Sequence, residues 1–253
     1  RQMCIRDRIL GVLAPVFVFA LLFGFWQWIC VANEIPKWLL PSPANIFVCM
    51  VENFSEFGTH FLISFITVLS GFLLAVPLGV LLATGITSSK TLSAALSPYI
   101  IVLVTTPLII ILPLLMLFLG YGIKVRIIGV VLQSFAIVNM NTCTGILNVP
   151  TIRHELMQTV GASKWQSLRH VVYPTAALDI FTGIRLSAIF ATTACVAAEY
   201  VGGNEGLGAL IIKYSQYLKT TESFACIFYV TIIGLIMYGL VSFLQSKVIY
   251  WKS

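Results

Sequence analysis

Long apolar runs dominate this sequence. The length of each run is close to that of a helix that crosses a bilayer, which needs about 20 residues. Hydrophobic residues make up 59% of the chain and charged residues only 9%, whereas a soluble protein carries about 25% charged residues. Because polar loops separate the runs, we predict an all-α, polytopic membrane protein with six transmembrane helices. In chain order the runs are residues 9–30, 61–84, 98–119, 127–147, 180–200 and 224–249.

The same runs suggest how the chain is divided. We expect a non-native end at residues 1–8, a first transmembrane helix with an extracytoplasmic segment at 9–59, a transmembrane core domain at 60–249 and a cytoplasmic tail at 250–253. The net charge of +6 does not indicate nucleic-acid binding, because the basic residues are scattered between the apolar runs. The six cysteines show no C-x-x-C spacing, so neither a disulfide framework nor a metal site is predicted.

Lysine and arginine in the loops favour one orientation. If the amino terminus is inside, the cytoplasmic side carries nine of them and the opposite side five, and basic loops tend to stay in the cytoplasm. We therefore expect both termini in the cytoplasm of a multi-pass protein of the plasma (inner) membrane, in contact with lipid. The nine are Arg1, Arg6, Arg8, Lys90, Arg153, Lys164, Arg169, Lys247 and Lys252, and the five are Lys37, Lys124, Arg126, Lys213 and Lys219.

A short helix is predicted between the first two runs. Ser42 is a suitable N-cap and Pro43 a suitable first helical residue. The apolar residues that follow recur at helical spacing, so we expect this helix to lie along the membrane surface. They are Ile46, Phe47, Met50, Val51 and Phe54.

Residues 150–174 form the one long internal segment too polar to lie in lipid. The pattern predicts two short helices, the first capped by Thr151 and closed by Gly161, since glycine accepts the left-handed conformation. Ser163-x-x-Gln166 has the form of a capping box that starts the second helix, and Pro174 is expected to end it. Apolar residues share one face, so the segment is predicted to be a docking surface.

This segment resembles the "EAA" loop of permease subunits of ATP-binding cassette (ABC) importers, through Glu155, Gly161, Val171 and Pro174. Leu156 and Met157 replace the two alanines of that motif. The resemblance implies that the loop couples the permease to a separate cytoplasmic ATPase, which binds the ATP, while this chain binds no cofactor and has no catalytic residue. The coupling residues it implies are Glu155, Leu156, Val160, Gly161, Ala162, Trp165 and Pro174.

The rest of the chain is similar to the sulfonate, nitrate and taurine branch of these permeases. The resemblance implies the type I ABC importer permease fold, a homodimer around a central path, and an extracytoplasmic solute-binding protein. It also implies a small solute such as a sulfonate, taurine, nitrate or a thiamine or pyrimidine precursor. The matching motifs are Leu40-Pro41-Ser42-Pro43, Thr106-Pro107, Leu112-Pro113-Leu114, Leu119-Gly120-Tyr121-Gly122, Thr182-Gly183-Ile184-Arg185-Leu186, Ala197-Ala198-Glu199, Gly206-Leu207-Gly208 and Trp251.

Residues that break the apolar pattern are candidates for the translocation path or its gate. Prolines kink membrane helices, and polar residues within a span either line a path or bond neighbouring helices. Charges near span ends either serve the path or anchor the helix at the interface. Both alternatives stay open for the candidates, which are Pro107, Pro113, Gln133, Asn139, Asn141, Arg185 and Glu199.

Two other classes of function fit less well. An intramembrane metalloenzyme would need H-E-x-x-H, but Gln158 stands where the second histidine belongs. A secondary transporter or channel remains the alternative, although no carboxylate lies in mid-span to relay protons. The chain lacks the G-x-x-x-x-G-K-[ST] phosphate loop, so ATP hydrolysis is expected on a partner.

Overall fold

The computed structural model describes residues 5–249, except for the side chains of residues 5–13, 15 and 90. Within these residues the chain is all-helical, so the predicted all-α class is confirmed. Trp251 and the predicted tail lie outside the described residues. The helices are α1 (Ile5–Ala32), α2 (Pro43–Glu52), α3 (Phe54–Thr87), α4 (Lys90–Thr105), α5 (Leu108–Leu119), α6 (Ile123–Leu147), α7 (Thr151–Thr159), α8 (Lys164–Ser167), α9 (Tyr173–Gly202), α10 (Leu207–Gln216) and α11 (Thr220–Val248), with a π-helical turn at Leu168–Val172.

Four of these helices are long and apolar enough to cross a membrane, namely α3, α6, the continuous helix Lys164–Gly202, and α11. The pair α4 and α5 would make a fifth span if it crosses as one unit. The described apolar part of α1, Val16–Ala32, is shorter than the span criterion. The predicted multi-pass architecture is therefore confirmed, and the exact count of six spans is not.

The predicted third span is broken, whereas two proline kinks were expected. Its two parts, Thr91–Thr105 and Leu108–Leu119, meet at an angle of 100°. Thr106 has an extended backbone (φ −77°, ψ 120°), as does Pro107 (φ −59°, ψ 122°). The proline ring disfavours the α conformation of the residue before it, so the helix stops here. Pro113, in contrast, lies inside α5.

Close contacts of small residues hold α6 between α3 and α9. A Cβ added at Gly71 of α3 would lie 2.6 Å from the Val130 side chain of α6. A Cβ added at Gly183 of α9 would lie 2.6 Å from Asn141 Cβ of α6. Since the hydrophobic effect does not drive helices together in lipid, such close backbone approach is a main source of packing energy. α6 is therefore packed tightly between α3 and α9, while the main hydrophobic core also includes residues of α10 and α11.

The short helix α2 begins as predicted. Ser42 is its N-cap and accepts a hydrogen bond from the Asn45 N–H at 3.4 Å, and Pro43 is the first helical residue. Ile46 is buried, and the Tyr229 hydroxyl of α11 donates to the Met50 carbonyl at 3.2 Å. The apolar face of α2 thus packs partly against α11.

Candidate functional site: the docking segment and a buried polar cluster

The turn inside the docking segment, residues 150–174, has the predicted geometry. Gly161 is left-handed (φ +68°). Its N–H donates to the Gln158 carbonyl at 3.0 Å, and the Ala162 N–H donates to the Met157 carbonyl at 3.0 Å. These two bonds form a Schellman motif. Both hydrogen bonds of the Ser163–Gln166 capping box are present, at 3.3 and 2.7 Å.

The N-terminal cap of α7 was predicted wrongly. Pro150 is the N-cap residue, and Thr151 is already the first helical residue, with no side-chain cap hydrogen bond. A capping side chain must belong to the non-helical residue that precedes the first turn. Proline at that position carries no side-chain acceptor, so α7 begins uncapped.

Pro174 does not end the second helix, contrary to the prediction. The helix runs without interruption over Lys164–Gly202, 39 residues, and therefore joins the docking segment directly to the fifth predicted span. Just before the proline it widens into a π turn, in which the Tyr173 N–H donates to the Leu168 carbonyl. A widened turn is a known way to relieve the clash between a proline ring and the preceding turn of a helix.

Part of the predicted apolar face of the docking segment is exposed, whereas Val172 is buried. Leu156, Val160 and Trp165 have 61%, 69% and 63% of their surface exposed. Glu155 is also exposed, whereas Ala162 and Pro174 are half-buried. A solvent-facing loop of a single chain rarely exposes several large apolar side chains together without a partner.

A second polar site lies at the other end of the same long helix. Glu199 is fully buried, and its carboxylate accepts hydrogen bonds from the Ser64 hydroxyl at 2.8 Å and from the Gly208 N–H at 2.9 Å. The guanidinium of Arg126, itself 5% exposed, lies 3.8 Å from the carboxylate. A buried carboxylate needs partners of this kind, because an unpaired buried charge is costly.

Arg126 also holds the loop that follows α9. Its guanidinium donates to the Glu205 carbonyl at 2.9 Å and lies 3.6 Å from the Glu205 carboxylate. Sequence reasoning counted Arg126 only as a loop charge. The opposite charges of Arg126 and Glu199, at adjacent ends of two neighbouring spans, were the available signal for the pair.

The seven path candidates do not gather at one place. Asn139 is buried and donates to the Gly79 carbonyl of α3 at 3.3 Å. It therefore bonds a neighbouring helix, which is one of the two roles expected for polar residues within a span. Asn141 donates to the Ile137 carbonyl of its own helix at 2.9 Å. Gln133 and Arg185 are half-buried, and Pro107 and Pro113 are exposed. Their part in the path stays a prediction.

Comparison with known proteins agrees with the motifs. The family model of the binding-protein-dependent transport system inner membrane component matches residues 75–250. The chain is 30% identical over 235 residues to the riboflavin transport system permease protein RibX of Chloroflexus aurantiacus, covering 92% of this chain and 88% of that one. It is 29% identical over 245 residues to the putative aliphatic sulfonates transport permease protein SsuC of Bacillus subtilis, covering 96% and 87%.

The fold also matches solved transporters. A chain from the crystal structure of an amino acid ABC transporter with histidines superposes with a TM-score of 0.64, covering 79% of this chain and 98% of that one, at 18% identity. The importer permease fold predicted from the motifs is therefore confirmed. The family model and the apolar helices together make this an inner-membrane, multi-pass permease subunit. The chain belongs to the family of binding-protein-dependent transport system inner membrane components, the permeases of ABC importers.

Proposed function

We propose that this chain carries a small solute across the inner membrane, driven by a separate cytoplasmic ATP-binding cassette ATPase that docks on residues 150–174. The observation that carries the proposal is the exposed apolar face of Leu156, Val160 and Trp165. ATP is held by the partner, and this chain binds no cofactor of its own. Both termini and the docking segment lie in the cytoplasm, as the loop charges favour.

The docking segment is built to act as a rigid lever. The Schellman motif at Gly161 and the capping box of Ser163 and Gln166 fix the turn between α7 and α8. The second arm is the start of a 39-residue helix, so a force on Trp165 acts directly on a membrane-spanning element. A flexible linker at this place would absorb the movement of a docked ATPase before it reached the span.

The transported solute belongs to the class handled by the relatives. At similar identities, one relative is named for riboflavin transport and another for aliphatic sulfonates, so overall similarity does not select the solute. We propose a sulfonate, taurine, nitrate or a thiamine or pyrimidine precursor, delivered by an extracytoplasmic solute-binding protein. The binding protein then supplies most of the selectivity.

Two copies of the chain enclose the path as a homodimer. α5 offers one surface for this contact, on which apolar residues are more than half exposed and recur at helical spacing. They are Ile110, Leu114, Leu117 and Phe118. The path candidates Pro107 and Pro113 lie at the start of α5 and inside it, so a movement of α5 would alter the path.

The test is whether the docking face binds the ATPase. The double variant Leu156→Ala, Trp165→Ala should weaken binding at least about 30-fold, since interface hot spots are worth about 2 kcal/mol or more. Trp38→Ala is the matched control, because Trp38 is similarly exposed (60%) but lies in the predicted extracytoplasmic segment. ATPase co-purification, and solute uptake by proteoliposomes with the binding protein, are the measurements. Full binding and uptake by the double variant would refute the docking role.

A further inference from the structure

The amino terminus of α10 is capped by side chains from other helices. The first N–H groups of a helix have no partner within the helix, and α10 supplies no side-chain cap of its own. Instead, three successive N–H groups each donate at 2.9 Å to a side chain of α3 or α9. The pairs are Gly206 with His60 Nδ1, Leu207 with Ser64 Oγ, and Gly208 with Glu199 Oε2.

This shared cap is buried and electrostatically matched. Glu199 is 0% exposed and Ser64 1% exposed. A carboxylate at the positive end of a helix is favourable, and Arg126 offsets its charge from the α6 side. Gly206 has φ +100°, and a Cβ there would overlap the Glu199 carboxyl group. Glycine at this position therefore allows the backbone of α10 to approach the carboxylate.

Further contacts hold the remainder of α10 against α3. Lys213 lies 3.8 Å from the Glu56 carboxylate, and the Tyr214 ring packs edge-on against Phe57, with centroids 6.2 Å apart. Burial, and then the neighbouring Glu56, raise the pKa of the Tyr214 phenol, so it stays neutral. α10 thus contacts α3 through Lys213 and Tyr214 as well as at its N terminus, where Glu199 of α9 also binds it.

The shared cap lies near one end of the long helix, and its role follows from this position. Glu199 stands three residues before the end of the helix Lys164–Gly202, and the other end lies in the docking segment. At 1.5 Å per residue the helix spans about 58 Å. A helix of this length connects the two faces of the membrane without a loop.

We propose that His60, Ser64 and Glu199 are positioning residues that fix α10 both to α3 and to the outer end of this helix, so that α10 and the docking segment move together when the loaded binding protein engages the outer face. The proposal rests on the proposed function for its partner, the extracytoplasmic binding protein. The cap itself does not depend on that function.

A cross-linking assay between α3 and α10 reports whether α10 stays docked when the cap is altered. Cysteines replacing the exposed pair Glu56 and Lys213 are joined by a short bifunctional thiol reagent in membranes, with the two single-cysteine chains as controls. Ser64→Ala leaves buried groups unpaired, which shifts the docked equilibrium of α10 by about 5- to 150-fold. We expect the docked fraction of α10, and with it the cross-linking rate, to fall below the wild-type value. Glu199→Gln, which keeps the side-chain shape, should act in the same direction.

Ser187→Ala is the matched control. Ser187 is also 0% exposed, but its hydroxyl donates at 2.9 Å to the Ile184 carbonyl of its own helix. Its removal should leave the cross-linking rate at the wild-type value. An unchanged rate in Ser64→Ala as well would overturn the cap.

The second experiment tests transport function. It measures the rate of ATP hydrolysis with loaded binding protein divided by the rate without it, in proteoliposomes that contain the partner ATPase. Ser64→Ala should lower this ratio toward 1, whereas Ser187→Ala should keep it at the wild-type value. A lower cross-linking rate with an unchanged ratio would overturn the transmission role of α10. If the wild-type chain bound no ATPase, the proposed function would fail, while the cross-linking arm would still report on the cap.

Discussion

Gly71 allows a sharp test of how α3 packs against α6. A Cβ at residue 71 would lie 2.6 Å from Val130 Cβ and 3.1 Å from the Ile127 carbonyl oxygen, whereas a Cβ at Gly85 of the same helix meets nothing within 4 Å. Overpacking costs about 1–3 kcal/mol, and alanine is favoured over glycine inside a helix by about 1 kcal/mol. Gly71→Ala should therefore lose about 0–2 kcal/mol while Gly85→Ala gains about 1 kcal/mol.

Thermal unfolding of the purified chain in detergent measures this difference. At about 2–4 °C per kcal/mol for a chain of this size, the Tm values of the two variants should differ by about 2–12 °C. Adding Val130→Ala to Gly71→Ala should recover part of the loss, because one γ-methyl of Val130 also lies 2.6 Å from the added Cβ. Equal Tm values for Gly71→Ala and Gly85→Ala would refute the close approach of these helices.

The remaining predictions concern topology, gating and coupling. A cysteine at Ser163 should react with an impermeant thiol reagent in inverted vesicles but not in intact cells; reaction from outside would reverse the orientation. Replacing Pro107 and Pro113 with Ala should alter uptake while insertion and dimerisation persist, since the break between α4 and α5 depends on Pro107; unaltered uptake would leave the prolines a packing role. Gly161→Val should lower uptake without loss of insertion, because a β-branched residue costs about 1–2 kcal/mol at a left-handed position; uptake at the wild-type level would make the turn a passive linker.

Local chemistry explains which parts of the docking segment could be predicted. The conformation of Gly161 and the hydrogen bonds of Ser163 and Gln166 depend on residues within one or two turns, so a short stretch of sequence suffices to predict them. The continuation of the helix through Pro174 could not be predicted in this way. Whether a helix stops at a proline or widens into a π turn depends on what it packs against, and here Val172 is buried against the core beside the proline.

The buried polar cluster of Ser64, Arg126 and Glu199 depends on contacts that no local pattern contains. Ser64 and Glu199 are 135 residues apart in the chain, and the relative register of two membrane helices cannot be read from their composition. The ten-residue helix α10 was missed because it is too short to be a span and follows a glycine-rich stretch that predicts a turn. The sequence feature that indicated this contact was a carboxylate, Glu199, close to the glycine-rich stretch. A buried charge needs hydrogen-bond donors, and the backbone N–H groups of such a stretch can supply them.

The middle of the long helix explains why both of its ends can serve one movement. Its buried face is lined by small residues, among them Ala188, Ala191 and Ala198, and small residues allow two helices to approach closely. Two close contacts also set its position against α6: a Cβ added at Gly183 would lie 2.6 Å from Asn141 Cβ, and one added at Gly145 of α6 would lie 2.7 Å from Asp179 Cβ. The ends carry the contacts to other elements, since Glu199 holds α10 and Trp165 faces the partner proposed here. A displacement at either end is therefore carried along the helix and shared with α6, because no break interrupts the helix between Lys164 and Gly202.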